Sequence, residues 1–431
     1  MWISGRVPLL LLLGVVAVVL RPGMGTAWLW VLAVALLVAV DVALSPSPSA
    51  LTVSRPPVGA VRLGDRTQTS LRVENAGRRR LRGVVRDAWQ PTAGAADNRH
   101  RLDLAAGERA VLRTDLRPRR RGDLRALGVT VRLRGPLGLA GRQRTTTVDG
   151  AVRSLPPFES RKHLPSRLAR LRELDGRAAV RVRGQGTEFD SLREYVRGDD
   201  VRSIDWRASA RSRNVVVRTW QPERDRRVVL VLDTSRTSAG RVDDVPRLDA
   251  AMDAALLLTA LAGRAHDRVD VVAGDQVVRV RVGGSADRGT LLADVVSALA
   301  PVDASLVEAD WTALVSGLIG RGHHRALVVL LTPLEPAAVE EGLFPVLPAL
   351  VARHRVVVAS VADPAVTALR LARGSAQDAY GAAAAERTTA QRRRVAEALE
   401  RMGVDVIDAD ADALPPRLAD HYLRLKSEGL L

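Results

Sequence analysis

The chain has 431 residues, 47% of them apolar, and no cysteine. That length fits two or three domains with cores of their own, and the lack of cysteine excludes a disulfide scaffold, thiolate metal sites and thiol redox chemistry. The net charge of +17 is uneven: residues 45–155 carry 23 Arg and Lys against 9 Asp and Glu, residues 156–220 carry 15 against 9, and residues 221–431 carry 25 against 29.

Two apolar runs open the chain. Val7–Leu20 is interrupted only by Pro8 and Gly14; a turn from Arg21 to Gly25 follows, then Thr26–Val40, with Asp41 late in the run and the prolines Pro46 and Pro48 ending it. Each run approaches the roughly 17–25 residues that span a bilayer, and adding Ile3–Arg6 and Asp41–Leu44 brings both into range. No small-x-small cleavage site follows Leu20, and a second apolar run does, so residues 1–44 read as two transmembrane helices rather than a signal peptide. Arg6 and Arg55 flank the hairpin on one side and Arg21 alone marks its loop, which with the absent cysteines predicts a main body on the cytoplasmic side of the cell membrane.

Residues 45–155 alternate short β-patterned runs with turn signals, such as Ser70–Val73, Ala110–Arg113 and Val129–Leu133 separated by Glu74–Gly77 and Ala105–Gly107. That spacing predicts a basic, immunoglobulin-like β-sandwich. Its arginines suit an anionic lipid surface beside the anchor. They would attract nucleic acid too, but hardly any aromatic residues lie between them, which disfavours a stacking platform for single strands.

Residues 156–220 hold the most informative stretch. Glu188, Glu194, Asp199, Asp200 and Asp205 alternate with Arg193, Arg197, Arg202, Arg207 and Arg211, around Phe189, Tyr195, Ile204 and Trp206. Carboxylate–guanidinium pairs can lock such a segment into one shape, and Asp199 or Asp200, beside Gly198, suits the cap of a following helix. Clustered acids also invite acid–base or hard-cation chemistry. Here the chain resembles the family of domain of unknown function 58, whose signature reads Gly-x-Glu-Phe, Leu-Arg-Glu-Tyr, Gly-Asp-Asp-x-Arg-x-Ile-Asp-Trp and Ala-x-Ala-Arg. Gly186, Glu188, Phe189, Leu192, Arg193, Glu194, Tyr195, Gly198, Asp199, Asp200, Arg202, Ile204, Asp205, Trp206, Ala208, Ala210 and Arg211 stand where that signature wants them. The resemblance implies a membrane-associated bacterial protein, often encoded beside a MoxR-type AAA+ ATPase, and no established activity.

From residue 221 strand and helix patterns alternate. Arg227–Asp233, Val269–Ala273, Val277–Val282, Ala326–Thr332, Arg355–Val361 and Val404–Ile407 read as strands. Leu248–Ala265, Leu291–Ala300, Trp311–Ile319, Ala337–Ala352, Ala384–Met402 and Leu414–Ser427 read as helices. This predicts a doubly wound α/β domain with its site at the carboxyl ends of the strands. Asp233, Ser235 and Thr237 resemble the Asp-x-Ser-x-Ser metal site of von Willebrand factor A domains, which implies Mg²⁺ held by an acid and two hydroxyls. The fourth strand ends Leu331, Thr332, Pro333, so proline stands where that site expects an acid; Glu335 and Thr312 are the substitutes the sequence offers.

No phosphate-binding loop and no nucleophile elbow occur. The seven histidines are scattered, and the adjacent His323 and His324 lack zinc spacing. The leading expectation is therefore a membrane-anchored adaptor, not an enzyme; the partner that the family resemblance implies is a MoxR-type AAA+ ATPase, in assembly or remodelling of envelope complexes. The alternatives are a metal-dependent enzyme built on Asp199, Asp200, Asp205 and Asp233, and a basic module binding anionic lipid or nucleic acid through residues 55–153.

Overall fold

The computed structural model describes the chain except residues 182–187, 198, 212–213, 222–225, 284–288 and 320–324; for 175–181, 188–191, 219–221 and 317–319 it describes the backbone alone. Gly198, His323 and His324 thus lie outside the described residues. Two compact units divide between Leu155 and Pro156.

The first unit opens with a two-residue strand β1 (Trp2–Ile3), then α1 (Arg6–Leu20) and α2 (Met24–Leu44). Their outer faces are bare hydrocarbon: Leu9, Leu12, Val19, Leu29, Leu32 and Leu36 are all about two-thirds exposed or more. The stretch Met24–Ala50, of mean hydropathy 2.4, is long and apolar enough to cross a membrane. The first helix is shorter than the sequence suggests. Ile3 is tied into a sheet, so the helix starts at Arg6 and its 15 residues reach about 22 Å, short of a hydrocarbon core of roughly 30 Å. The two helices meet closely because residue 14 is glycine: a Cβ there would stand 2.3 Å from the Trp30 ring. The indole nitrogen of Trp30 donates to the Leu10 carbonyl at 2.9 Å.

The rest of this unit is β. Strands β2 (Leu51–Ser54), β3 (Val61–Arg62), β4 (Thr67–Asn75), β5 (Leu81–Trp89), β6 (Arg99–Leu104), β7 (Arg109–Leu116), β8 (Gly122–Arg134), β9 (Ala140–Thr146) and β10 (Ala151–Leu155) form two sheets with β1. The small sheet has the order β2-β4-β7, and the larger one is organised around the long strand β8, which pairs with β5, β9 and β10. Their inner faces follow from period-two alternation. Leu71 and Val73 of one sheet pack against Leu81, Val85, Leu102, Val129, Val131 and Leu133 of the other. Arg55 departs from its expected place as a membrane-flanking charge. Its side chain is 1% exposed, paired with the buried Asp87 at 2.6 Å and stacked 4.7 Å from the Trp89 ring. An arginine so buried has no reach to a lipid headgroup.

In the second unit, α3 (Leu164–Arg181) leads to a β-hairpin of β11 (Glu188–Glu194) and β12 (Val216–Gln221), with the one-turn helix α4 (Trp206–Ser209) between them. The remainder runs β13 (Arg227–Asp233), the two-residue strands β14 (Arg241–Val242) and β15 (Val245–Pro246), α5 (Arg247–Arg264), β16 (Arg268–Gly274), β17 (Val278–Val282), α6 (Leu291–Leu299), α7 (Trp311–Ile319), β18 (Ala326–Leu331), α8 (Leu347–Val351), β19 (Arg355–Val361), α9 (Pro364–Leu371), α10 (Ala376–Arg401), β20 (Asp405–Ala409) and α11 (Leu414–Glu428). The six-stranded sheet has the order β17-β16-β13-β18-β19-β20, parallel except for β17. Its central strands are buried on both faces, which is why they read as unbroken apolar runs. Two helices differ from expectation. Ala337–Ala352 is broken into a wide turn, Ala338–Leu343, and the short α8, because Pro345 and Pro348 cannot supply backbone donors to a continuous helix. The helix expected from Ala384 starts at Ala376, capped by the Ser375 hydroxyl on the Asp378 amide.

Candidate functional site at the carboxyl edge of the parallel sheet

The chain leaves β13 toward β16 on one side and later returns to β18 on the other. The carboxyl ends of β13 and β18 therefore flank the point where the strand order reverses, the place where open α/β sheets bind ligands. Asp233 ends β13 there, 2% exposed. Its Oδ1 accepts the Ser235 amide at 2.8 Å, and its Oδ2 accepts the hydroxyls of Thr237 at 3.1 Å and Thr332 at 2.7 Å. The Ser235 and Thr237 hydroxyls are 3.1 Å apart. Burial raises the Asp233 carboxyl above its ordinary range, opposed by these hydrogen bonds.

The sequence placed Asp233, Ser235 and Thr237 together, and the structure brings them together. It missed Thr332, whose signal was its position directly after a buried strand. It offered Glu335 and Thr312 instead. Glu335 turns to Arg247 at 3.7 Å, and Thr312 lies exposed in the first turn of α7.

The oxygen set suits a hard cation in kind but not in charge. It contains one carboxylate, both of whose oxygens already accept protein donors. Beside it stands a cation: Arg247, 13% exposed, donates to the Thr237 carbonyl at 3.2 Å. Burial and then the nearby Arg392 charge lower the Arg247 pKa, while Glu335, Asp363 and Asp408 act the other way. As built, this cluster does not fit Mg²⁺.

A second network lies one strand over. Asp275 follows β16 and accepts the hydroxyls of Thr234 at 3.0 Å and Ser305 at 2.5 Å, the Arg279 guanidinium at 2.7 Å and the Gln276 amide at 2.8 Å. Burial alone would raise its pKa; the hydrogen bonds win and hold it down at about 2. Thr234, next to Asp233 in sequence, thus links both carboxylates along the sheet edge.

The signature acids are structural in geometry. Asp199 pairs with Arg193 at 2.6 Å and accepts the Val196 amide at 2.9 Å, contacts that lower its pKa in that order. Asp200 accepts the Arg202 amide at 3.0 Å. Asp205 caps α4 through the Arg207 and Ala208 amides, both at 3.0 Å, and holds Arg218 at 2.8 Å; the Ala208 amide leads in lowering its pKa. Glu194 accepts Asn214 at 2.7 Å. Arg211 is exposed in the turn after α4, and of Glu188 the backbone alone is described, paired with Gln221. The capping expected of Asp199 or Asp200 falls to Asp200 for the 3₁₀ turn and to Asp205 for the helix. Among the described residues no three His, Asp or Glu side chains converge as a metal site. This module also shows apolar side chains: Trp206 is 69% exposed, with Leu192, Tyr195, Val196, Val201 and Val215 exposed beside it in the chain.

Residues 191–404 match the model of a protein of unknown function, DUF58. The match covers the signature from Leu192 onward and most of the α/β domain. Uncharacterized proteins of Mycobacterium bovis and Mycobacterium tuberculosis are 27% identical over 191 residues, 42% of this chain and 57% of theirs. The chain thus spans little more than half the length of these relatives. Among solved structures, the PapD-like domain 7 of human CEP192 covers 25% of this chain and 90% of its own at 11% identity and a TM-score of 0.20. The E. coli chaperone DraB covers 24% and 55% at 11% identity and a TM-score of 0.17. Likenesses this slight carry no argument about the fold.

Proposed function

We propose that the chain is a membrane-anchored adaptor, its body cytoplasmic, whose signature module docks a protein partner. The observation that carries this reading is the exposure of Trp206, Val196 and Val201 on a module in which Asp199 is paired with Arg193 and Asp205 with Arg218. A rigid aromatic anchor among small apolar residues is how protein interfaces concentrate binding energy, and an uncovered apolar surface is costly unless a partner covers it.

The partner, taken from the family resemblance, is a MoxR-type AAA+ ATPase acting on envelope complexes. In this reading the first unit is an immunoglobulin-like sandwich on its anchor. The second is a von Willebrand factor A-like domain whose Asp233 cluster serves as a closed structural element rather than an Mg²⁺ site.

The test is capture from native membranes solubilised in detergent, with ATP and Mg²⁺, using the full chain, Trp206→Ala and Asp233→Ala. Enrichment of the ATPase by the full chain, lost in Trp206→Ala, supports the reading. Loss in Asp233→Ala alone would move the contact to the sheet edge. No ATPase with any of the three removes the partner.

A further inference from the structure

The helical hairpin is joined to the sandwich at one end. Asp41, one turn before the end of α2, accepts the Leu137 and Leu139 amides from the turn between β8 and β9 and the Ala140 amide at the start of β9. Ser4 donates its amide to the Leu139 carbonyl at 2.8 Å, and Trp2 pairs with Gly141. At the same helix end, Arg79 in the β4–β5 turn donates to the Leu44 carbonyl at 3.4 Å. If Met24–Ala50 crosses a bilayer, these two turns lie at its surface.

The side chains at this level are basic. Arg78 and Arg79 sit in the β4–β5 turn; Arg134 immediately precedes the turn held by Asp41, and Arg142 follows it by two residues; all are exposed. Arg6 begins α1 there, its guanidinium 3.1 Å from where a Cβ on Gly138 would stand. Arg80, in the same turn, is engaged by Asp103 at 2.5 Å, and no acid among the described residues pairs with the other five.

We propose that Arg6, Arg78, Arg79, Arg134 and Arg142 form a collar that binds the phosphates of anionic phospholipids around the end of the hairpin. The inference rests on reading Met24–Ala50 as a membrane span and is independent of any protein partner. The guanidinium fork matches a phosphate with two parallel hydrogen bonds, and basic residues beside a membrane gain from the surface potential of anionic lipid. The span fixes the distance, so the collar meets headgroups without a separate docking step. Nucleic acid, the other polyanion, lacks that constraint.

The test reconstitutes the full chain into phosphatidylcholine vesicles and compares quenching of its tryptophans by brominated phosphatidylglycerol and by brominated phosphatidylcholine. Trp2, Trp28 and Trp30 lie on this unit's helices and first strand. The expected result is a preference for phosphatidylglycerol of about three-fold or more at low salt, falling as salt screens it. It should drop to near unity with Arg78, Arg79, Arg134 and Arg142 all changed to Gln. A variant of equal charge change, with Arg66, Arg86, Arg99 and Arg113 changed to Gln, should keep the preference, since those residues lie toward the opposite ends of β4 and β5. A wild-type ratio near one overturns the proposal, as does equal loss in both variants, which would mean net charge alone. A 20-base-pair DNA bound by the wild type and lost with the collar variant, while the lipid ratio stays at one, would assign the surface to nucleic acid.

Discussion

Thr332 donates its hydroxyl to Oδ2 of Asp233 at 2.7 Å, so that two neighbouring parallel strands are joined at their carboxyl ends through one buried carboxylate. Thr332→Val keeps the shape and removes the donor. The buried carboxylate then loses one of its two hydroxyl partners, and a loss of about 1–3 kcal/mol of stability is expected, read as a lower denaturant midpoint of the detergent-solubilised chain. In the same assay, millimolar Mg²⁺ should leave the wild-type midpoint unchanged, because Arg247 already supplies positive charge beside the cluster. A clear upward shift with Mg²⁺ would show that the hydroxyls turn outward to a metal.

Asp253 sits on α5 and accepts both the amide and the hydroxyl of Ser160, the hydroxyl at 2.8 Å. Burial outweighs these bonds and raises its pKa from 3.8 to about 6. The folded chain therefore binds this proton more tightly than the unfolded chain. The stabilisation is fully present below about pH 4 and is lost as pH rises through about 6, a swing on the order of 3 kcal/mol. Asp253→Asn keeps an oxygen for Ser160 and has no proton to lose. Compared with wild type, it should be more stable at pH 7.5 and no more stable at pH 4. If the difference between the two does not change with pH, Asp253 does not titrate in this range.

The sheet of the second unit was legible because fully buried parallel strands leave continuous apolar runs, and Arg227–Asp233 and Arg355–Val361 are found with the bounds their sequence predicts. Helices α3 and α9 carried no such signal: α3 is dense in charge and α9 spans only eight residues. At the sheet edge, Asp233, Ser235 and Thr237 were readable from their resemblance to a known short motif, since they share one turn of chain. Thr332 is 99 residues away, and only the strand order brings it there. The first helix was overextended because apolar composition does not reveal that Trp2 and Ile3 pair with β9. Likewise, arginine counts could not separate Arg55, which is swallowed by the sandwich, from the exposed arginines around it.

That buried arginine makes its own prediction. Arg55 and Asp87 share two hydrogen bonds, at 2.6 and 3.0 Å, while Thr69 and the Trp89 indole complete the cluster at 3.2 and 3.0 Å. Asp87→Ala strands a guanidinium in a dry core and should cost about 3–5 kcal/mol. Replacing both partners, Arg55→Met with Asp87→Leu, removes the stranded charge and should cost less than Asp87→Ala alone. Equal losses would mean that the pair contributes through shape rather than charge.

Asp41 is the last case, a side chain fully buried at the end of an apolar helix yet without a cationic partner among the described residues. Three backbone amides replace water around it: Leu137 on Oδ1 at 2.7 Å, and Leu139 and Ala140 on Oδ2 at 2.8 Å each. The turn comes this close because residue 135 is glycine; a Cβ there would stand 2.2 Å from Oδ1. Asp41→Asn is therefore not conservative. Its amide nitrogen would face one or two backbone donors, leaving them unpaired at about 1–3 kcal/mol each. Gly135→Ala should loosen the same turn from the other side by steric contact. Both variants should expose the β8–β9 turn to protease in vesicles while leaving the chain in the membrane, because the apolar surface of α2 is untouched. Release of the chain from the vesicles, or a turn as resistant as in the wild type, would show that Asp41 is not what fastens the helix to the sandwich.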